Sequence, residues 1–149
     1  MIMFWTAWLA LALALFAGTA LAQSEDELND ALCAALGGER ETRQYYSIDG
    51  SSKSNYVIVD CETDDLVIEG GKDSRSSLDS LQQTLFFHVL TGKRPVVAIY
   101  DTDGVLGPYE YRIGSACAEA GVQYVHIQDK DGKLIVFGTD RPVTVDEVL

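Results

Sequence analysis

YVIVDCETDDLVIEGGKDSRSSLDSLQQTLFFHVLTGKRPVVAIYD, residues 56–101, decides how the chain folds. Two apolar runs, YVIVDC and LVIEGG, flank the polar turn ETDD. A long amphipathic segment, SSLDSLQQTLFFHVLTG, follows and leads into a third apolar run, PVVAIYD. The apolar runs are nearly continuous rather than alternating, as expected of strands covered on both faces. The segment between them places Leu78, Leu81, Leu85 and Val89 on one helical face, opens with a capping-box spacing at Ser76-Ser77-Leu78-Asp79, and ends at Gly92. The third strand is expected to lie parallel to one of the first two, through a helical crossover.

Asp60 and Glu69 stand at the ends of the first two strands. A four-residue loop at Glu62–Asp65 would set Cys61 opposite Leu66 and Asp60 opposite Val67. Glu69 would then share their face. The two carboxylates become diagonal neighbours about 7 to 8 Å apart at Cα, a spacing that suits one hard divalent cation held through oxygen. A loop one residue longer or shorter sends one of them to the other face.

The run VDCETDDLVIEGGK, followed by LDSLQQTLFFHVLTGKRPVVAIYD, resembles the core of small bacterial proteins related to PD-(D/E)XK nucleases. The likeness covers roughly Cys33 to Asp101. It implies an αβββαβ restriction-endonuclease-like core, with Asp60 and Glu69 as Mg²⁺ ligands and Glu41 as the acid ahead of them. It also implies a lysine that orients the attacking water and, in the helix that follows, Gln83 with the aromatics Phe86 and Phe87. The family pattern sets its lysine two residues after the acid, on the same strand face. Here Glu69-Gly70-Gly71-Lys72 sets it at the third residue, on the opposite face of a regular strand, unless a glycine bulge re-aims it.

Residues 2–22, IMFWTAWLALALALFAGTALA, form an unbroken apolar run closing on Ala20-Leu21-Ala22. This reads as a secretory signal peptide cleaved after Ala22, although its start lacks Lys or Arg. The run is also long enough to span a bilayer as an uncleaved anchor. With cleavage, Gln23–Leu149 is a single periplasmic or secreted domain with no stable membrane association. Its formal charge is −12, which disfavours nucleic acid as a partner, since phosphate binding relies on clustered cations. Lys93 and Arg94 are the one candidate basic strip, but both follow a helix C-terminus, where the macrodipole favours cations.

Three cysteines, Cys33, Cys61 and Cys117, fall in the exported part and allow three pairings. Cys117 lies on the apolar stripe Ile113, Ala116, Cys117, Ala120 and suits a buried free thiol. The favoured bridge is therefore Cys33–Cys61, closing a loop of about 29 residues and stabilising by roughly 3 to 4 kcal/mol on the chain-entropy model. No CxxC or HxxxH spacing suggests a zinc site.

Outside the core, Ser24-Glu25-Asp26-Glu27 is a capping box for a helix with Leu28, Ala31, Leu32, Ala35 and Leu36 on its stripe, stopped by Gly37-Gly38. Glu39–Ile48 reads as a half-exposed strand. Asp101-Thr102-Asp103-Gly104 resembles a fragment of a calcium loop, lacks the remaining ligands, and reads as a turn. Tyr109–Ile113 is ambiguous between strand and helix, and Ser115–Ala120 reads as helix. Val122–Gln128 and Lys133–Gly138 form a hairpin around Asp129–Gly132, and Arg141–Leu149 a docked tail. His88 and His126 lie in regular elements without a Gly-x-Ser-x-Gly, so structural or surface roles are expected of them.

These readings give an α/β fold with a mixed sheet, the αβββαβ core being followed by a C-terminal helix and hairpin. Two functions fit it. One is a Mg²⁺-dependent phosphodiesterase using Glu41, Asp60, Glu69, Lys72 and Gln83. The other is a non-catalytic exported binding or structural module on the same scaffold.

Overall fold

A computed structural model describes residues 23–136 and 143–149. The signal peptide expected at 2–22, and the Gly138 and Arg141 ends of the last hairpin and tail, lie outside these residues. Helix α1 (Glu25–Ala35) precedes β1 (Glu39–Ser47), β2 (Ser54–Glu62) and β3 (Leu66–Lys72). A 3₁₀ turn (Arg75–Asp79) leads into α2 (Ser80–Thr91). β4 (Arg94–Tyr100), α3 (Pro108–Ala120), β5 (Gln123–Lys130), β6 (Lys133–Val136) and the short α4 (Val145–Val148) complete the order. The fold is mixed α/β, with the expected αβββαβ core, and the segment at Tyr109–Ile113 is helical.

The six strands form one mixed sheet in the order β1-β2-β3-β4-β5-β6. β2 runs antiparallel to both its neighbours β1 and β3, β3, β4 and β5 run parallel, and β6 returns antiparallel to β5. Alternation along β3 and β4 sends Ile68, Val96, Ala98 and Tyr100 to one side, against Leu28, Leu32 and Val145 of α1 and α4. It sends Val97 and Ile99 to the other side, against Ile113 and Cys117 of α3 and Leu81 and Leu85 of α2. Both faces of the central strands are covered, which explains why their sequences are continuously apolar.

The capping box at the start of α1 forms as expected: Glu27 N–H donates to Ser24 Oγ, and Ser24 N–H to Glu27 Oε2. The second expected box does not form. Ser77 donates its hydroxyl to Lys72 O at 2.5 Å, and the Ser74 and Ser76 hydroxyls bond each other. These side chains therefore serve a 3₁₀ turn, and α2 begins only at Ser80. The face of α2 also differs from expectation. Ser80, Thr84 and Phe87 are buried, while Val89 is 73% exposed. At about 100° per residue Val89 lies opposite that buried stripe. Leu81 and Leu85 flank the stripe and pack towards α3.

Cys33 and Cys61 form a disulfide with Cα atoms 5.4 Å apart, joining α1 to β2, a separation within the usual range for such a bridge. Cys117 is the free, buried cysteine, and burial pushes its thiol up to about 11. Gly38 passes so close to the bridge that a Cβ there would sit 2.7 Å from Cys61 Sγ and 2.9 Å from Glu62 O.

Candidate functional site

The β2–β3 hairpin is tighter than the four-residue loop expected. Glu62 pairs with Val67, Cys61 pairs with Ile68, and Thr63 N–H donates to Leu66 O, leaving Asp64 and Asp65 at the tip. Continuing this register would bring Asp60 level with Glu69 rather than diagonal to it. The ladder stops at Cys61–Ile68, however, and Asp60 takes another role. Its carboxylate Oδ2 accepts the Gly70 N–H at 2.9 Å, supplying by side chain the acceptor that a continuing strand would supply by backbone.

The pleat is broken at the same point. Cys61 faces α1, whereas Val59 joins Val67 and Phe87 on the α2 side. Residues two apart on a regular strand share a face. The β1 residue level with Asp60 is Glu41, between the Arg40–Cys61 and Thr42–Val59 pairs, and it adopts φ +52°. Beyond this irregularity the β1–β2 hairpin leaves β3 and continues as a two-stranded arm.

Glu69 is only 9% exposed and lines a cleft of about 150 Å³ with Glu25, Ser77, Asp79, Ser80 and Gln83. Burial pushes its carboxyl up to about 9, and the charges of Asp60, Asp79 and Glu25 push the same way. Glu69 is thus a neutral acid at pH 7. Asp60 is also raised, first by burial, against the Gly70 N–H and Arg40, which favour its charge.

The residues expected to act together divide between three places. Glu69 and Gln83 share the cleft, and Asp60 is near enough to act on Glu69 electrostatically. Glu41 is exposed and lines a different concavity, with Glu62, Thr42 and Lys93. Glu41 thus opens away from the cleft that holds Glu69. The clusters of three metal-ligating atoms within 4.8 Å, among the described residues, lie elsewhere. Lys72 occupies the α1 side of the sheet: its Nζ donates to Gln23 O at 2.7 Å and its N–H to Glu25 Oε2 at 3.2 Å.

The glycine bulge that would have re-aimed Lys72 does not form. β3 pairs with β4 without interruption from Leu66–Arg94 to Lys72–Tyr100. The glycines answer a different need, close approach on both faces. A Cβ on Gly70 would lie 1.9 Å from Asn29 Oδ1, the atom that accepts the Tyr100 hydroxyl at 2.6 Å. A Cβ on Gly71 would lie 2.4 Å from Ser77 Oγ.

The concavity beside Glu41 centres on Glu62. Thr42 and Gln44 donate to its Oε2, and Lys93 Nζ lies 2.7 Å from its Oε1. Burial raises this carboxyl, but the bonds from Lys93, Thr42 and Gln44 outweigh it and hold it below the usual range. Arg94 pairs with Asp65 at 3.7 Å and bonds Gln123. Both candidate basic-strip cations are thus engaged with acidic or amide groups.

Sequence reading missed Asn29, Ser77, Asp79 and Glu25 around Asp60 and Glu69. Their spacing in the chain carries no signal, because α1 and the 3₁₀ turn are brought to β3 only by packing. The fold and site define an open mixed α/β sheet with a buried Glu69 near a half-buried Asp60 at the point where an antiparallel arm diverges. No family model, curated protein or solved structure matches the chain. No helix among the described residues is long and apolar enough to cross a membrane.

Proposed function

We propose that this chain is a non-catalytic exported module, a nuclease-like scaffold retained for binding. One observation carries the reading: Lys72, which follows Glu69 on β3, lies across the sheet from it, its amine engaged by the Gln23 carbonyl. A phosphodiesterase of the resembled type needs lysine, acids and metal on one face, because the metal-activated water must be positioned beside the metal. Asp60 is occupied with a strand amide, and Glu41 opens onto another concavity. The net charge of −12 opposes approach of a polyanion. The Cys33–Cys61 bridge suits an oxidising compartment, in keeping with an apolar leader cleaved after Ala22.

The arm offers a surface for binding. Its α2 side is packed by Tyr46 against Phe86. On its other side Tyr45, Tyr56 and Ile58 are 63%, 49% and 45% exposed, with the Arg43 guanidinium 4.8 Å over the Tyr56 ring. Aromatic and arginine side chains of this kind anchor protein interfaces.

The test is incubation of the purified, disulfide-intact protein with single- and double-stranded DNA and RNA, in Mg²⁺ or Mn²⁺. The expected result is no cleavage above the metal-only control. Cleavage that disappears in both Asp60→Ala and Glu69→Ala, each shown to be folded, would overturn the reading in favour of a metal-dependent phosphodiesterase.

A further inference from the structure

At the carboxyl ends of β4 and β5, away from Asp60 and Glu69, three side chains from three elements converge. Asp101 follows the last residue of β4, Glu110 is the third residue of α3, and His126 lies within β5. Each offers one ligating atom, and these atoms all lie within 4.8 Å of one another. Glu110 and His126 are 2% and 6% exposed. We propose that Asp101, Glu110 and His126 bind a single divalent cation of the Zn²⁺ class, at a site independent of the acidic pair.

The spacing supports this. His126 Nε2 and Glu110 Oε1 are 4.0 Å apart, too far for a hydrogen bond, yet close enough for both to reach one ion at about 2.0 to 2.2 Å. The two carboxylates are held by the backbone. Glu110 Oε1 accepts the Gly107 N–H at 3.0 Å, and Asp101 Oδ1 accepts the Asp103 and Gly104 N–H groups at 3.2 and 2.8 Å. Gln128 Nε2 donates to Asp101 Oδ2. A carboxylate has about four acceptor positions, so these bonds leave room for a metal and fix its ligands in place.

A second observation points to a ligand. The Tyr124 hydroxyl is buried without a hydrogen-bond partner among the described residues. Tyr124 shares the α3 side of β5 with His126, and its ring lies so close to α3 that a Cβ on Gly114 would be 3.2 Å from it. A water or anion completing the coordination of the cation would give the Tyr124 hydroxyl a partner. The donor set, one imidazole nitrogen with carboxylate oxygens, selects Zn²⁺, Mn²⁺, Co²⁺ or Ni²⁺ over Mg²⁺ or Ca²⁺, and three protein ligands leave an open position.

The test is calorimetric titration of chelator-treated, disulfide-intact protein with Zn²⁺, and with Mg²⁺ and Ca²⁺ in parallel, joined to visible spectroscopy of the Co²⁺-loaded form. The expected result is one saturable Zn²⁺ site, with much weaker Mg²⁺ and Ca²⁺ binding and a Co²⁺ ligand-field spectrum. His126→Gln and Asp101→Asn should each weaken binding by roughly tenfold or more. Circular dichroism and melting of the metal-free variants identify any that fail to fold, and Asp101→Asn keeps the acceptor oxygen that the loop needs. Absence of saturable Zn²⁺ binding would overturn the proposal. So would unchanged binding in folded His126→Gln and Asp101→Asn, or loss of binding on replacing Asp73 and Asp103 by Asn, which would assign the ion to the neighbouring all-aspartate cluster.

Discussion

Glu69 carries the clearest consequence at the scale of one residue. Its carboxyl titrates at about 9 in the folded protein against 4.5 for an ordinary glutamate, so the folded state holds a proton that the unfolded state releases. The sign follows from linkage: this contribution to stability is complete below about pH 4.5 and is lost as pH rises towards 9. Glu69→Gln removes the titration and keeps a neutral side chain of the same shape. Denaturant unfolding at pH 5 and pH 8 should show the variant gaining on the native protein by roughly 2 to 4 kcal/mol between the two. Parallel pH dependence of the two proteins would mean that Glu69 titrates normally.

Among elements, Gly70 and the disulfide are two points of close packing. Gly70→Ala drives a methyl into the Asn29–Tyr100 pair and should cost about 1 to 3 kcal/mol, read as a lowered denaturant midpoint. Replacing Cys33 and Cys61 together by Ser should cost roughly 3 kcal/mol, chiefly by freeing the unfolded chain. The β1–β2 arm behaves oppositely. Tyr45 and Tyr56 meet across the strands with ring centroids 5.9 Å apart, but both are largely exposed. Changing both to Ser should cost less than about 1 kcal/mol, so a large fall in Tm would show that this face is covered within the fold. Element identities were legible because each apolar run has its own period and its own stops, Gly37, Gly92 and Gly121 among them. Hairpin register was not. Two-residue and four-residue turns at ETDD keep the same faces inward, so hydrophobic pattern cannot separate them. The purpose of Gly70-Gly71 was equally hidden, since a bulge and a close approach on both faces call for the same residue type.

For the whole molecule, the sheet and the bridge were readable in advance, and the site only in part. Asp60 and Glu69 stood out because each interrupts an apolar run. The pleat break at Glu41 and Asp60 turns β2 away from β3, and no local pattern announces it, because it depends on Asp60 replacing a backbone acceptor for Gly70. On the proposed reading Asp60 and Glu69 are structural, with Glu69 buried and neutral, rather than a metal centre. The most direct measurement is the pH titration of the Glu69 side-chain carboxyl by ¹³C NMR, with and without millimolar Mg²⁺. The expected midpoint is about 9 and is unmoved by Mg²⁺; a midpoint near the ordinary glutamate value, or a large fall on adding Mg²⁺, would make Glu69 an ionised ligand instead.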